Sequence, residues 1–129
     1  TSTLESLNTK STYLNFKQKL LNTKKNYEKK IILKTNSIDN LFKKKNLSKS
    51  LLKIDVEGHE LKVLKGSKKK LRQIPYLLVE NHFLDLYKNN EKIKKEKFLK
   101  KNNFKIVKKF IHPLLIFEDN LYINTKLNN

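Results

Sequence analysis

Cysteine, methionine, tryptophan and alanine are all missing from this chain, and glycine and proline occur twice each. Without cysteine there is no disulfide framework, no thiolate-bound zinc and no thiol nucleophile. Arginine is nearly missing too, because Arg72 is the one arginine among 30 basic residues. Base-reading surfaces rely on the planar arginine fork, whose bidentate pairing with guanine lysine does not reproduce. No apolar run approaches the ~20 residues that a membrane-spanning helix requires. The opening residues Thr1-Ser2-Thr3-Leu4 lack the charged-then-apolar layout of a signal peptide. These missing signals lead to the expectation of a cytoplasmic protein. The missing methionine suggests an internal piece of a longer chain.

What is present is lysine, asparagine and isoleucine in excess. With 129 residues the chain makes one domain at most. The 30 basic residues against 12 acidic ones give a net charge of +18. Such a balance suits a polyanion, either nucleic acid or an anionic membrane face. Yet Ala, Arg, Gly and Pro together supply five residues, while Asn alone supplies 16. That is the imprint of an AT-rich gene filling tolerant surface positions with lysine and asparagine. The basic charge is therefore read as a solvated surface, and nucleic acid is not the expected partner.

Residues 1–30 form a poorly defined lead-in. Tyr13, Phe16, Leu20 and Tyr27 at helical spacing predict an amphipathic helix near 12–28. From residue 31 to 129 the rhythm is that of an α/β domain. Ile31-Ile32-Leu33 reads as a strand, and Ser37 as the N-cap of a short helix carrying Ile38, Leu41 and Phe42. Leu51 to Val56 reads as a strand and Gly58 as the turn after it. Leu61, Leu64 and Leu71 continue at helical spacing, broken at Gly66-Ser67 into two short helices. Tyr76 to Glu80 is the next strand, and Glu91 to Asn103 a lysine-rich helix with Ile93 and Phe98 facing inward. Phe104–Phe110, Leu114–Phe117 and Leu121–Ile123 read as strands, with a turn at Asp119-Asn120 between the last two. The alternation predicts a mostly parallel sheet with an antiparallel C-terminal hairpin.

In open α/β sheets ligands bind beyond the carboxyl ends of the strands. Two strands here end in acid. One runs into Asp55-Val56-Glu57-Gly58-His59-Glu60, and the other ends in Glu80-Asn81-His82. Asp55 also suits a helix cap, and Glu57 and Glu60 suit the positive end of the helix that follows. His59 reads as a surface histidine beside the turn, and His112, before Pro113, as a loop residue. No Ser-His-Asp order, GxGxxG or P-loop is present. The three histidines show no metal-ligand spacing, so no metal is expected.

Leu51 to Gly66, LLKIDVEGHELKVLKG, closely resembles the signature of the FkbM-type methyltransferase family. In that family a strand like "lKIDvEG" leads into "E..vLkG", then a proline and a strand ending in Glu. Pro75 and Tyr76-Leu77-Leu78-Val79-Glu80 follow at the matching distance. Thr35 to Leu41 is similar to the family's "t.sLDdL" segment, and Thr1-Ser2-Thr3-Leu4 to a small-residue stretch before it. The resemblance covers residues 31–124. It implies a Rossmann-like class I fold using S-adenosylmethionine, with methyl transfer to a hydroxyl of a small-molecule or glycan acceptor, sugar or polyketide-like. The family's glycine-rich first turn and the acidic residue after its second strand have no counterpart here. The chain is therefore expected to be the C-terminal part of such an enzyme, with cofactor-contact residues and oligomeric state unassigned. Asp55, Glu57 and His82 are the expected catalytic residues, with Asp55 or His82 as general base. His59, Glu80 and Asn81 are expected to bind the acceptor. Metal-dependent O-methyltransferases suggest by analogy a cation on Asp55 and Glu80-Asn81, which the spacing does not demand. The rival reading is a non-enzymatic basic module for nucleic acid or an anionic surface.

Overall fold

The computed structural model describes residues 10, 15–16, 19–20, 31–82, 91–113 and 117–127. Residues 15–16 and 19–20 are helical, with Phe16 and Leu20 exposed. The rest of the helix expected over 12–28 lies outside the described residues. Ile31, Ile32 and Leu33 are exposed and carry no regular structure. The strand expected there does not form, because a β-branched run becomes a strand only where an edge offers its backbone partners.

Within residues 31–82 regular structure begins at Ser37, whose Oγ accepts from the Asn40 N–H and caps α1 (Ile38–Leu41). Strand β1 (Leu51–Ile54) follows, then α2 (Glu60–Gly66) and a 3-10 turn (Lys70–Arg72). The break at Gly66-Ser67 is real: Ser67 ends α2, and its Oγ donates to the Leu64 carbonyl. Gly66 packs beside Ser37, where an added Cβ would lie 3.4 Å from the Ser37 Cβ, at ordinary contact distance. Asp39 fastens α1 to the start of the 3-10 turn by accepting from the Lys69 and Lys70 N–H groups at 3.0 and 2.9 Å.

Strand β2 (Tyr76–His82) lies parallel to β1, with Ile54 opposite Val79. Helix α3 (Lys92–Lys101) follows, then β3 (Phe104–Ile111) and β4 (Phe117–Asn124). The strand order is β1-β2-β4-β3. A C-terminal antiparallel hairpin is present, but β4 inserts between β2 and β3. Among the described residues one pairing is parallel and two are antiparallel, so the sheet they form is not mostly parallel as expected. Asp119 and Asn120, expected in a turn, lie inside β4 opposite Glu80 and Val79. The Asp-Asn pair looks like a turn locally, and ladder bonds on both sides override that preference. His112 does lie in the loop, with its ring stacked on Phe117 at 4.4 Å.

The helices cover one face of the sheet. Ile54, Leu77, Val79, Tyr122 and Phe104 from the strands meet Leu64, Leu71 and Leu99 from the helical segments in one core. On α3 the inward residues are Lys95 and Leu99, with Phe98 beside them. Ile93, expected inside, is 68% exposed. It lies two residues from Lys95, about 200° around the helix, so the two cannot share a face. The opposite face of the sheet carries Leu51, Tyr76 and Phe110, all exposed. Leu77→Ala, in the middle of the core, is expected to lower the unfolding free energy by about 2–5 kcal/mol. Leu51→Ala, at the exposed edge, should lower it by less than about 1 kcal/mol. Denaturant unfolding of both variants checks the assignment of the two faces.

Candidate active site

The parallel register that sets Ile54 beside Val79 carries on for one residue and brings Asp55 beside Glu80. Their carboxyl groups are close enough to shift each other's acidity. The chain then reverses through Glu57 (φ 50°) and Gly58 (φ 98°), both in the left-handed region. Glycine reaches such angles freely, whereas a glutamate there stores about 1–2 kcal/mol of strain. The turn is closed by the His59 N–H on the Val56 carbonyl at 3.3 Å. Within it the Gly58 N–H donates to Glu60 Oε1 at 2.9 Å.

This reversal swings Glu57 back over the end of β2. Glu57 Oε2 lies 3.2 Å from His82 Nε2, and Glu80 Oε2 lies 3.3 Å from the same nitrogen. Glu80 and His82 share a face because they are two residues apart on one strand. All three side chains are between 10 and 17% exposed. Their donor atoms fall within 4.8 Å of one another, the spacing of a site able to hold a cation. Phe117 closes one side, its ring centroid 6.2 Å from that of His82.

The two paired carboxyls are driven apart in acidity. Lys53, 3.0 Å from Asp55 Oδ2, holds the Asp55 carboxyl below its ordinary range. Burial first, and then the Asp55 carboxyl, push Glu80 up to about 8. At neutral pH Glu80 therefore keeps its proton, and its contact with His82 is not a full ion pair. On the core side, Lys95 Nζ donates to the Glu80 carbonyl at 3.3 Å and lies 3.7 Å from Glu60 Oε2. Burial lowers the Lys95 pKa.

Of the six expected site residues, the structure brings Asp55, Glu57, Glu80 and His82 together. His59 starts α2 with its Nε2 3.0 Å from Lys62 Nζ. Asn81 is buried and leaves β2 on the face opposite Glu80 and His82, alongside Glu118 of β4. Two contributors were not singled out in the sequence. Asp119 pairs across from Glu80 and hides in an apparent turn motif, and Lys95 is one lysine among many on a polar helix.

Acidic and imidazole groups thus gather at the carboxyl ends of two adjacent parallel strands in an α/β domain, the place where open α/β sheets bind ligands. The whole-chain comparison gives it a family: residues 2–116 match the methyltransferase FkbM domain, and the chain belongs to that family. The match takes in most of the lead-in stretch as well as the LLKIDVEGHELKVLKG segment. No curated protein and no solved structure matches the chain.

Two tests follow from this geometry. Gly58→Ala should destabilise the fold by at least about 1 kcal/mol, while Glu57→Gly should leave it neutral or up to about 1 kcal/mol more stable. Equilibrium unfolding of the pair reads the strain directly. The raised Glu80 pKa means that the folded state binds more protons than the unfolded state between pH 4.5 and 8. Its contribution to stability is full below pH 4.5 and is lost as pH rises through 8. Across that window wild type should lose stability relative to Glu80→Gln by up to about 1 kcal/mol per pH unit, read by urea unfolding in chelating buffer.

Proposed function

We propose that this chain is the acceptor-side, C-terminal part of an S-adenosylmethionine-dependent O-methyltransferase acting on a hydroxyl of a sugar or polyketide-like metabolite. Family membership supports methyl transfer in general. The observation that carries the finer reading is the meeting of Asp55, Glu57, Glu80 and His82 at the ends of two parallel strands.

The cofactor supplies an activated methyl group on a sulfonium, and the described residues do not build its cradle. Gly58 has its N–H taken by Glu60, and Gly66 packs against Ser37. Neither forms a turn of free N–H groups, so none of these residues is assigned to the cofactor. Their work is on the acceptor. In-line transfer needs an oriented oxygen that loses its proton as the new bond forms. Asp55, kept ionised by Lys53, can accept a hydroxyl's hydrogen bond. Glu80, protonated at neutral pH, can donate one to a second acceptor oxygen. His82, flanked by two carboxyl groups, is the group suited to take the proton. His59 flanks the turn and extends the acceptor surface. The aromatic residues do not decide against the rival basic binding module: Phe104 and Tyr122 are core, while Tyr76 and Phe110 are exposed.

The test is methyl transfer from labelled S-adenosylmethionine by the intact enzyme, with the cofactor-binding part present, scored over a panel of hydroxylated acceptors. Asp55→Asn and His82→Ala are each expected to lower kcat by about 10²–10⁴ with folding intact. Unchanged turnover in both would overturn the assignment. Methylation of nitrogen acceptors alone would overturn the hydroxyl reading.

A further inference from the structure

We propose that Glu57, Glu80 and His82 form a binding site for one divalent transition-metal cation of the manganese-to-zinc series. The distances are those of ligands around a common centre. Metal bonds of about 2.1 Å place neighbouring donors about 3.4 Å apart in a tetrahedron and about 3.0 Å apart in an octahedron. His82 Nε2 stands 3.2 Å from Glu57 Oε2 and 3.3 Å from Glu80 Oε2, between those two values.

A second observation points the same way. Glu80 is 8% exposed, and its Oε2, directed into this group, makes no hydrogen bond although it approaches His82. A carboxyl oxygen so enclosed and so placed is a ligand awaiting a cation. The backbone adds a third. Glu57 sits in a left-handed conformation that glycine or asparagine would take at less cost. The strain aims its carboxylate at His82, and strain of this kind is kept where a side chain must be held in place. An outer layer is also present. Lys95 Nζ donates to the Glu80 carbonyl at 3.3 Å and steadies the strand that carries two of the ligands, as groups that orient ligands do.

One imidazole nitrogen and two carboxylates suit Zn²⁺, Co²⁺, Fe²⁺ or Mn²⁺, whereas Mg²⁺ and Ca²⁺ prefer oxygen alone. Three protein ligands leave positions open for water. On the methyltransferase reading, metal binding would release the Glu80 proton to solvent and an acceptor oxygen would take an open position. The acceptor's proton would pass to Asp55, since His82 would then be a ligand and no longer the base.

Binding is measured without cofactor or acceptor, so its failure leaves the methyltransferase reading standing. A metal-loaded intact enzyme, with its cofactor-binding part present, that transfers no methyl group overturns that reading and not the site. The chelator-stripped chain is titrated with Co²⁺, followed by visible absorption, and then with Zn²⁺, Mn²⁺ and Mg²⁺. One equivalent of Co²⁺ or Zn²⁺ should bind, with Mg²⁺ at least 100-fold weaker. Folded Glu57→Gln and His82→Ala should each weaken binding at least 100-fold. Wild type supplies an independent readout in the ring-nitrogen NMR signals of His59, His82 and His112. Zn²⁺ should shift His82 and leave the other two in place. Binding that shifts His59 or His112 instead, binding unaltered by both substitutions, or no binding below millimolar Zn²⁺ would overturn the site.

Discussion

The parallel pairing of β1 and β2 is the constraint on which the site depends. Its register sets Asp55 beside Glu80 and fixes where the chain must reverse. Because β2 continues two residues past Glu80, the reversal through Glu57 and Gly58 meets His82 and not open solvent. A shift by one residue would send Glu80 and His82 to the core face and break every one of these contacts.

Charge is distributed unevenly around this junction. A chain with net charge +18 gathers Asp55, Glu57, Glu60, Glu80 and Asp119 around the ends of two strands. Such crowding is tolerable because the acids are not all ionised and because lysines serve them individually. Lys53 stabilises the Asp55 charge, Lys95 lies between Glu60 and the Glu80 carbonyl, and Glu80 keeps its proton. Among the described residues most other lysines are exposed; Lys70 is buried away from the site, its Nζ donating to the Lys43 and Lys45 carbonyls. The sheet is unequal in the same way. Helical segments cover the face of Ile54, Leu77 and Val79, while Leu51, Tyr76 and Phe110 remain exposed on the other.

Elements whose signals are local were legible. The Ser37 cap, the strand before Gly58, the helix break at Gly66-Ser67 and the strand after Pro75 all rest on residues within a few positions of one another. Elements that need a distant partner were not. Ile31 to Leu33 has strand composition but finds no edge, and Asp119-Asn120 has turn composition but is held in a ladder between β2 and β3. Helix α3 misled through its polarity, since Lys95, an unpromising core residue, is carried inward by its pairing with Glu60.

The same division holds for the site and for the protein. The sequence by itself determined the family, through a contiguous motif at Leu51 to Gly66, and the candidate residues, through acids at two strand ends. Contiguous chemistry survives in one dimension. The tertiary structure alone decided which candidates meet. It joined Glu57 to Glu80 and His82 across more than twenty residues of chain, turned Asn81 to the reverse face, and inserted β4 where a mostly parallel order was expected. Those outcomes depend on strand register and on a left-handed turn, which are settled by packing and ladder pairing between distant segments and leave no trace in local composition.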